Sequence, residues 1–225
     1  MERPLLICDL DGTLVDSQPG ILEALRQACL AVGIEPLRPL DGTLIGPPLD
    51  ELLQSVTGLP TGATLDRLRA TFTDIYDGGA CRLTVPFPGV EQMLDSFRSR
   101  GVGLALATNK RQKPTAGILK ALGWQDHFRH VETVDSRSPL NRSKAEMLRD
   151  ILALDDRPPS SAAYLGDTAA DVVAAREAGL PCIFATWGYG KVQSEKTEIC
   201  VARPEHVEPA FVTVLNLPMN PAVGD

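Results

Sequence analysis

The spacing of apolar residues changes along this chain, and the change constrains the fold more than any other feature. Short apolar runs at 5–8, 102–107, 162–165 and 181–187 predict buried strands, with a further short strand at 131–134. The stretches between them carry apolar residues three and four positions apart, which predicts amphipathic helices. Strands that alternate with helices form a parallel sheet covered on both faces. The sequence therefore predicts an α/β fold with a doubly wound, Rossmann-like parallel sheet.

A long stretch without any strand pattern separates the first strand from the others. Residues 19–78 contain three groups of apolar residues at helical spacing, and Pro19 opens the first of these helices. The stiff segment 85–89, Val-Pro-Phe-Pro-Gly, then leads back into the alternating pattern. We predict a core domain formed by residues 1–15 and 84–225, with an all-helical cap domain at 16–83 inserted in it.

Composition excludes several classes of protein. The 225 residues are 44% hydrophobic and 23% charged, so the chain can bury a large core without disulfides. The net charge of −7 repels phosphates and anionic lipids, which argues against polymeric nucleic acid or a membrane as a partner. No apolar run approaches the ~20 residues of a membrane span. The five cysteines form no CxxC pair, so we expect reduced thiols and a cytoplasmic protein.

Polar residues follow three of the predicted strands at the point where each strand ends. Because the carboxyl ends of parallel strands meet at one edge of a sheet, and ligands bind at that edge, these side chains are candidates for a site. A lysine before the helix at 145 and an aspartate after the strand at 162–165 belong to the same edge. The candidate residues are Asp9, Asp11, Thr108, Asn109, Lys144, Asp167 and Asp171.

The chemistry of this group follows from its residue types. Clustered carboxylates repel one another unless a cation neutralises them, and oxygen ligands alone favour Mg²⁺. A hydroxyl, a backbone amide and an ammonium hold a phosphoryl group. Asp9 and Asp11 are separated by one residue and can divide the work, one as nucleophile and the other in proton transfer. The pattern therefore predicts phosphoryl transfer through a phosphorylated aspartate.

The segment 9–17, Asp-Leu-Asp-Gly-Thr-Leu-Val-Asp-Ser, resembles the signature of the haloacid dehalogenase superfamily of phosphatases. Thr108-Asn109, Lys144 and the segment 166–171, Gly-Asp-Thr-Ala-Ala-Asp, are similar to the family's second, third and fourth motifs and follow in the same order. The resemblance covers nearly the whole chain. The inserted helical region resembles the cap of the phosphoglycolate phosphatase branch.

This resemblance implies a Mg²⁺-dependent phosphatase that acts on a small phosphorylated metabolite, with phosphoglycolate as the default substrate. A 5′-nucleotidase acting on nucleoside monophosphates and a β-phosphoglucomutase-like phosphotransferase stay open as alternatives. The protein would be a monomer or a homodimer. The loop at 45–49, Ile-Gly-Pro-Pro-Leu, is the expected place of substrate selection.

The resemblance also implies a role for each motif residue. Asp9 would be the nucleophile and a Mg²⁺ ligand. Asp11 would move protons, and its backbone carbonyl would bind the metal. The remaining roles are phosphoryl binding by Thr108, Asn109 and Lys144, metal binding by Asp167, and support of the metal waters or of Lys144 by Asp171.

Several other residues are open to two interpretations. The segment 41–44 repeats Asp-Gly-Thr-Leu, but it lacks the leading aspartate and the buried strand, so we expect a loop there. The basic run of Lys110, Arg111 and Lys113 is expected to be solvated surface, with substrate contact as the alternative. Arg137, Arg142 and Trp187 could contact substrate or serve packing alone.

Overall fold

The computed structural model describes residues 3–44, 49–138, 142–190 and 199–217. Its strands are β1 (Leu5–Cys8), β2 (Val15–Asp16), β3 (Val85–Pro86), β4 (Gly103–Thr108), β5 (His130–Thr133), β6 (Ala162–Gly166), β7 (Cys182–Ala185) and β8 (Ile199–Val201). Its α-helices are α1 (Gln18–Val32), α2 (Leu49–Thr57), α3 (Ala63–Gly78), α4 (Val90–Ser99), α5 (Gln112–Ala121), α6 (Lys144–Leu154), α7 (Ala169–Ala178) and α8 (Val207–Val214). Short 3₁₀ helices lie at Gly42–Leu44, Ala80–Leu83, Pro159–Ser161 and Pro204–His206.

Six of the strands form one parallel sheet in the order β5-β4-β1-β6-β7-β8. β1 lies between β4 and β6, with Cys8 level with Leu106 on one side and Leu165 on the other. These three strands therefore end at the same edge, and the segments that follow them meet there. The predicted α/β fold with a parallel, Rossmann-like sheet is confirmed.

The central strands β1, β4 and β6 are buried on both faces, which explains why they are continuously apolar. On one face, alternate residues of β1, β4 and β6 pack against α6 and α7, and Tyr164 is fully buried among them. The residues that alternate with these along the strands face the other side of the sheet. They are buried as well, for example Leu6 and Leu104. Phe97 of α4 packs edge-to-face on Phe211 of α8, with the ring centroids 5.2 Å apart.

The chain divides into two compact units. One unit comprises residues 1–15, 86–112 and 124–225 and contains the parallel sheet. The other comprises residues 16–85 and 113–123, and in it α1 packs against α3. No strand interrupts the described residues from α1 to α3, as the sequence predicts. The cap boundaries at 16–83 stay a prediction.

Two further expectations concern cysteines and membrane helices. All five cysteines are free, and Cys200 is the exposed one. The other four are buried core thiols, as their apolar surroundings in the sequence predict. Within the described ranges, no helix combines the length and apolar character needed to cross a membrane.

Candidate active site

Asp9 lies directly after β1, in the middle of the carboxyl edge of the sheet. Its amide donates a hydrogen bond to the Leu165 carbonyl at 2.9 Å, which continues the pairing with β6. Its carboxylate is buried and forms an ion pair with Lys144, whose Nζ lies 2.7 Å from Oδ1. Burial raises the pKa of Asp9, and the positive charge of Lys144 offsets only part of that rise. The nucleophile and the cation expected from the sequence are in contact.

Lys144 is the first residue of α6, and the local sequence explains where that helix begins. Ser143 is the N-cap, and its side chain accepts a hydrogen bond from the Glu146 amide at 3.2 Å. The Glu146 carboxylate in turn accepts one from the Ser143 amide at 2.7 Å. This capping box fixes the backbone of Lys144. Burial disfavours the charged amine, but the carboxylates of Asp9 and Asp171 raise the pKa of Lys144 and keep it charged.

Asp171 connects Lys144 to α7 and β6. Its Oδ1 accepts hydrogen bonds from Lys144 Nζ and from the Tyr164 hydroxyl, each at 2.9 Å. Its Oδ2 accepts from the Thr168 amide at 3.0 Å and from the Thr168 hydroxyl at 2.6 Å, in a second capping box that starts α7. Burial opposes ionisation of Asp171, but the Lys144 charge and these hydrogen bonds together lower its pKa. Asp171 is therefore an anion held in one orientation.

Asp167 follows β6 and is held by three hydrogen bonds. Thr13 Oγ1 donates to its Oδ1 at 3.0 Å, and the amides of Tyr189 and Gly190 donate to its Oδ2 at 2.8 and 3.2 Å. Burial raises the pKa of Asp167 although these bonds favour the carboxylate. Gly12 lies against it without room for a side chain, because an added Cβ would be 2.8 Å from Asp167 Cγ.

Three of these carboxylates could hold a metal ion together. Oxygens of Asp9, Asp167 and Asp171 all lie within 4.8 Å of one another, and all three residues are buried. The ammonium of Lys144 contacts this group and offsets one of its three negative charges. A divalent cation would balance the remaining negative charge of the carboxylates. A set of oxygen donors only suits a hard ion such as Mg²⁺. The carboxylate of Asp11 does not belong to this group. The metal ligand expected from Asp11 is its backbone carbonyl, so this expectation is unaffected.

Asp11 and Thr108 are linked through Lys110. The Nζ of Lys110 lies 3.2 Å from Asp11 Oδ1, and the side chain of Lys110 is only 9% exposed. The Lys110 amide donates a hydrogen bond to Thr108 Oγ1 at 3.1 Å. Thr108 is buried at the end of β4, next to β1, whereas Asn109 is exposed.

The chain is similar to one known protein family over most of its length. A family model described as haloacid dehalogenase-like hydrolase matches residues 6–185. The chain belongs to this family. The phosphoglycolate phosphatase of Rhodobacter capsulatus is 34% identical over 194 residues, which are 84% of this chain and 86% of that protein. That of Aquifex aeolicus is 29% identical over 205 residues, which are 89% of this chain and 92% of that protein. These similarities make the chain a phosphatase, a phosphoric monoester hydrolase.

A solved structure is also similar to this hydrolase over most of its length. The protein tyrosine kinase A (PtkA) of Mycobacterium tuberculosis is 28% identical with a TM-score of 0.75, and the match covers 93% of this chain and 99% of that chain. The two proteins therefore share both layers of the fold, the sheet and its helices. Proteins named as a phosphatase and as a tyrosine kinase thus share this fold, so the fold alone does not define the substrate of this hydrolase.

The side chains of two basic residues of this hydrolase are largely buried, and for Lys110 this corrects an expectation from the sequence. Lys110 is not solvated surface, because it lies against Asp11. Arg142 is equally buried, with NH2 2.6 Å from Glu132 Oε2, and it also pairs with Asp150. Its guanidinium is thus paired inside the protein with Glu132 and Asp150, which favours a packing role over the substrate contact that the sequence left open. The sequence could not indicate this, because Glu132 lies in β5, ten residues before Arg142, and only the folded chain brings the two side chains together.

Arg137 and Trp187 were left open by the sequence, and both have partners in the structure. The Nε of Arg137 donates to Glu132 Oε1 at 2.8 Å, and its side chain is half-exposed. The indole of Trp187 donates to the backbone carbonyl of Thr13 at 3.0 Å. Trp187 therefore supports the loop after β1, whose Thr13 in turn holds Asp167.

Sequence reasoning missed Tyr164 altogether. It stands inside the apolar run of β6, where a tyrosine is most simply interpreted as core. Its ring is indeed buried in the core, but its hydroxyl reaches Asp171. The sequence did contain a signal for this contact. A buried tyrosine hydroxyl needs a hydrogen-bond partner, and Tyr164 stands only three residues before the candidate site residue Asp167.

Proposed function

We propose that this chain is a Mg²⁺-dependent phosphatase that hydrolyses a small phosphomonoester through a phosphorylated Asp9. The contact that carries the proposal is the ion pair between Asp9 and Lys144, at 2.7 Å, beside the converging carboxylates of Asp167 and Asp171. A buried carboxylate with a lysine in contact is the arrangement in which an aspartate oxygen can attack a phosphate while the ammonium offsets the negative charge. The family membership of the chain supports the same chemistry.

The proposed reaction has two steps. In the first, an oxygen of Asp9 attacks phosphorus, the ester P–O bond breaks with its electron pair, and the leaving oxygen takes a proton from Asp11. In the second, Asp11 takes a proton from a water molecule whose oxygen attacks phosphorus. The bond between phosphorus and Asp9 then breaks, which releases inorganic phosphate and restores both carboxyl groups.

The other residues bind and orient the phosphoryl group. The hydroxyl of Thr108, the amide of Asn109 and the ammonium of Lys144 are proposed to donate hydrogen bonds to its oxygens. Asp171 would keep Lys144 directed at Asp9, since both contact the same Nζ.

Mg²⁺ would be held by Asp9, the backbone carbonyl of Asp11 and Asp167, with Asp171 in support. When bound, the ion offsets the repulsion between the phosphoryl oxygens and these carboxylates. The hydrogen bonds from Thr13 and from the amides of Tyr189 and Gly190 keep Asp167 oriented for this role.

Phosphoglycolate is the substrate that we propose first, because the relatives named above carry that activity in their names. A nucleoside monophosphate is the next candidate, and a β-phosphoglucomutase-like transfer shares the same first step. We propose that residues 16–83 form the helical cap domain; residues 45–48 of the expected selection loop lie outside the described residues. The acidic net charge of −7 disfavours polymeric nucleic acid and anionic membranes, and the free thiols support a cytoplasmic location.

The test is phosphate release from a substrate panel with and without Mg²⁺. The panel contains 2-phosphoglycolate, nucleoside monophosphates, sugar phosphates, pyrophosphate and p-nitrophenyl phosphate. We expect 2-phosphoglycolate to lead in kcat/KM, EDTA to stop release and added Mg²⁺ to restore it. A different ester in the lead would replace the substrate but keep the chemistry.

The variant Asp9→Asn tests the covalent step on the same panel. It keeps the size of the side chain but removes the nucleophilic carboxylate, so kcat should fall by about a thousand-fold or more while the fold, followed by circular dichroism, stays intact. Retained turnover in Asp9→Asn would remove the phosphorylated aspartate from the mechanism. No release from any ester by the folded wild-type protein would contradict the phosphatase and favour the phosphotransferase.

A further inference from the structure

One oxygen of Asp11 lacks a hydrogen bond in its surroundings. Oδ1 is buried, and the described part of the chain offers it no hydrogen-bond partner of good geometry. A buried carboxylate oxygen without a partner is costly unless a charge compensates it. The ammonium of Lys110 supplies such a charge, because its Nζ lies 3.2 Å from Asp11 Oδ1.

The position of Lys110 follows from the sheet. It belongs to the turn after β4, and its amide is tied to the Thr108 hydroxyl. β4 pairs with β1 in parallel, with Leu106 level with Cys8, so the turn after β4 and the loop after β1 lie side by side. The ion pair between Lys110 and Asp11 joins these two loops across the edge of the sheet. Solvated lysines are mostly exposed, whereas this side chain is 9% exposed.

We propose that Lys110 is a positioning residue for Asp11, and this rests on the proposed function of Asp11 as the proton carrier. Its ammonium holds the carboxyl group of Asp11 where the group meets the leaving oxygen and, later, the attacking water. Lys144 does not serve this purpose, because its Nζ contacts Asp9 and Asp171. The side chain of Asp11 is 26% exposed, so without Lys110 it can rotate towards solvent and out of reach of the substrate.

This role makes a prediction that a plain phosphate-binding lysine does not share. Proton delivery matters for an alkyl phosphate, whose alkoxide leaves poorly, and hardly matters for p-nitrophenyl phosphate, whose phenolate leaves readily. A residue that only binds the phosphoryl group would affect both esters alike, because both present the same phosphoryl oxygens. The ratio of kcat/KM for the two esters therefore separates positioning of Asp11 from binding of phosphate.

The experiment compares Lys110→Met with the wild-type enzyme on an alkyl phosphate and on p-nitrophenyl phosphate. Methionine keeps much of the apolar stem and removes the charge. We expect kcat/KM to fall by about thirty-fold for the alkyl ester and by no more than about three-fold for the aryl ester, as a fraction of the 10²–10⁴ that a general acid contributes. Lys110→Arg keeps the charge and should recover most of the loss. Lys113→Met, in the same basic run and exposed, is the matched control without a change on either ester.

The double variant Lys110→Met/Asp11→Asn completes the test. If Lys110 acts through Asp11, the double variant loses no more than Asp11→Asn alone on the alkyl ester. Equal losses on both esters in Lys110→Met, or additive losses in the double variant, would overturn the positioning role and leave the phosphatase standing. Absence of turnover in the wild-type enzyme would instead overturn the proposed function, and the role of Lys110 with it. Thermal unfolding of each variant identifies any loss that comes from the fold.

Discussion

The tetrapeptide Asp-Gly-Thr-Leu occurs at 11–14 and again at 41–44, and the two copies have different structures. The first follows β1, and its Gly12 takes a left-handed φ of +82°. The chain turns back there, with hydrogen bonds from the Leu14 amide to the Leu10 carbonyl at 2.9 Å and from the Gly12 amide to the Val15 carbonyl at 3.0 Å. The second copy has no preceding strand and contains the 3₁₀ helix Gly42–Leu44.

The leucine behaves alike in both copies, and the polar residues do not. Leu14 and Leu44 are both buried, as apolar anchors of their loops. Asp41 is exposed, whereas Asp11 lies against Lys110 at the sheet edge. The four letters thus supply a turn with an apolar anchor, and the strand in front of them decides whether their carboxylate enters a site. The second copy provides matched control variants for the aspartate and the glycine of the first.

The largest difference is expected at the aspartates. Asp11→Asn removes the proton carrier, so kcat/KM for an alkyl phosphate should fall by about 10²–10⁴. Asp41→Asn makes the same chemical change in the other copy and should leave kcat/KM within a factor of about two, because exposed substitutions rarely matter. Both are measured by phosphate release at saturating Mg²⁺. Similar losses in the two variants would contradict the assignment of the first copy to the site.

A smaller difference is expected at the glycines, in stability. Gly12→Ala forces a side chain into the left-handed region and against Asp167, so the free energy of unfolding should fall by about 2 kcal/mol or more. In Gly42→Ala the added Cβ meets the end of the Gln18 side chain, which can rotate away, and Gly42 is not among the glycines with positive φ. We expect a change within about 0.5 kcal/mol there. Urea unfolding of both variants checks this, and a Gly42→Ala as unstable as Gly12→Ala would remove the contrast.

The smallest effect is expected at Thr13, whose hydroxyl donates to Asp167. Thr13→Val removes this hydrogen bond at nearly constant volume, so Asp167 loses part of its orientation. The Mg²⁺ concentration for half-maximal activity should rise by about ten-fold, the lower end for groups that orient a metal ligand. Thr13→Ser keeps the hydroxyl and serves as the control, with an expected shift below about two-fold. An unchanged Mg²⁺ requirement in Thr13→Val would show that the backbone amides of Tyr189 and Gly190 suffice to hold Asp167.

The sequence by itself predicted five strands of the parallel sheet and the helices between them, but not the short strands β2 and β3. Short continuous apolar runs that end at turn residues indicate strands buried on both faces, and this places Asp9, Thr108 and Asp167 at a common edge because each follows such a run. The capping boxes at Ser143 and Thr168 are equally local, since their partners are three residues away. Periodicity and capping act within a few residues, so the sequence alone reveals them.

The tertiary structure decided which side chains meet within that edge. Lys110 looks like one basic residue of an exposed run, and Tyr164 like one more core residue. Neither pattern indicates that their polar ends reach Asp11 and Asp171. Arg142 stands two residues before Lys144, which left its role open in the sequence, and in the structure it pairs with Glu132. The pair of Lys110 and Asp11 joins residues far apart in the chain, and the geometry of all three contacts depends on strand register and side-chain direction, which only the folded sheet defines.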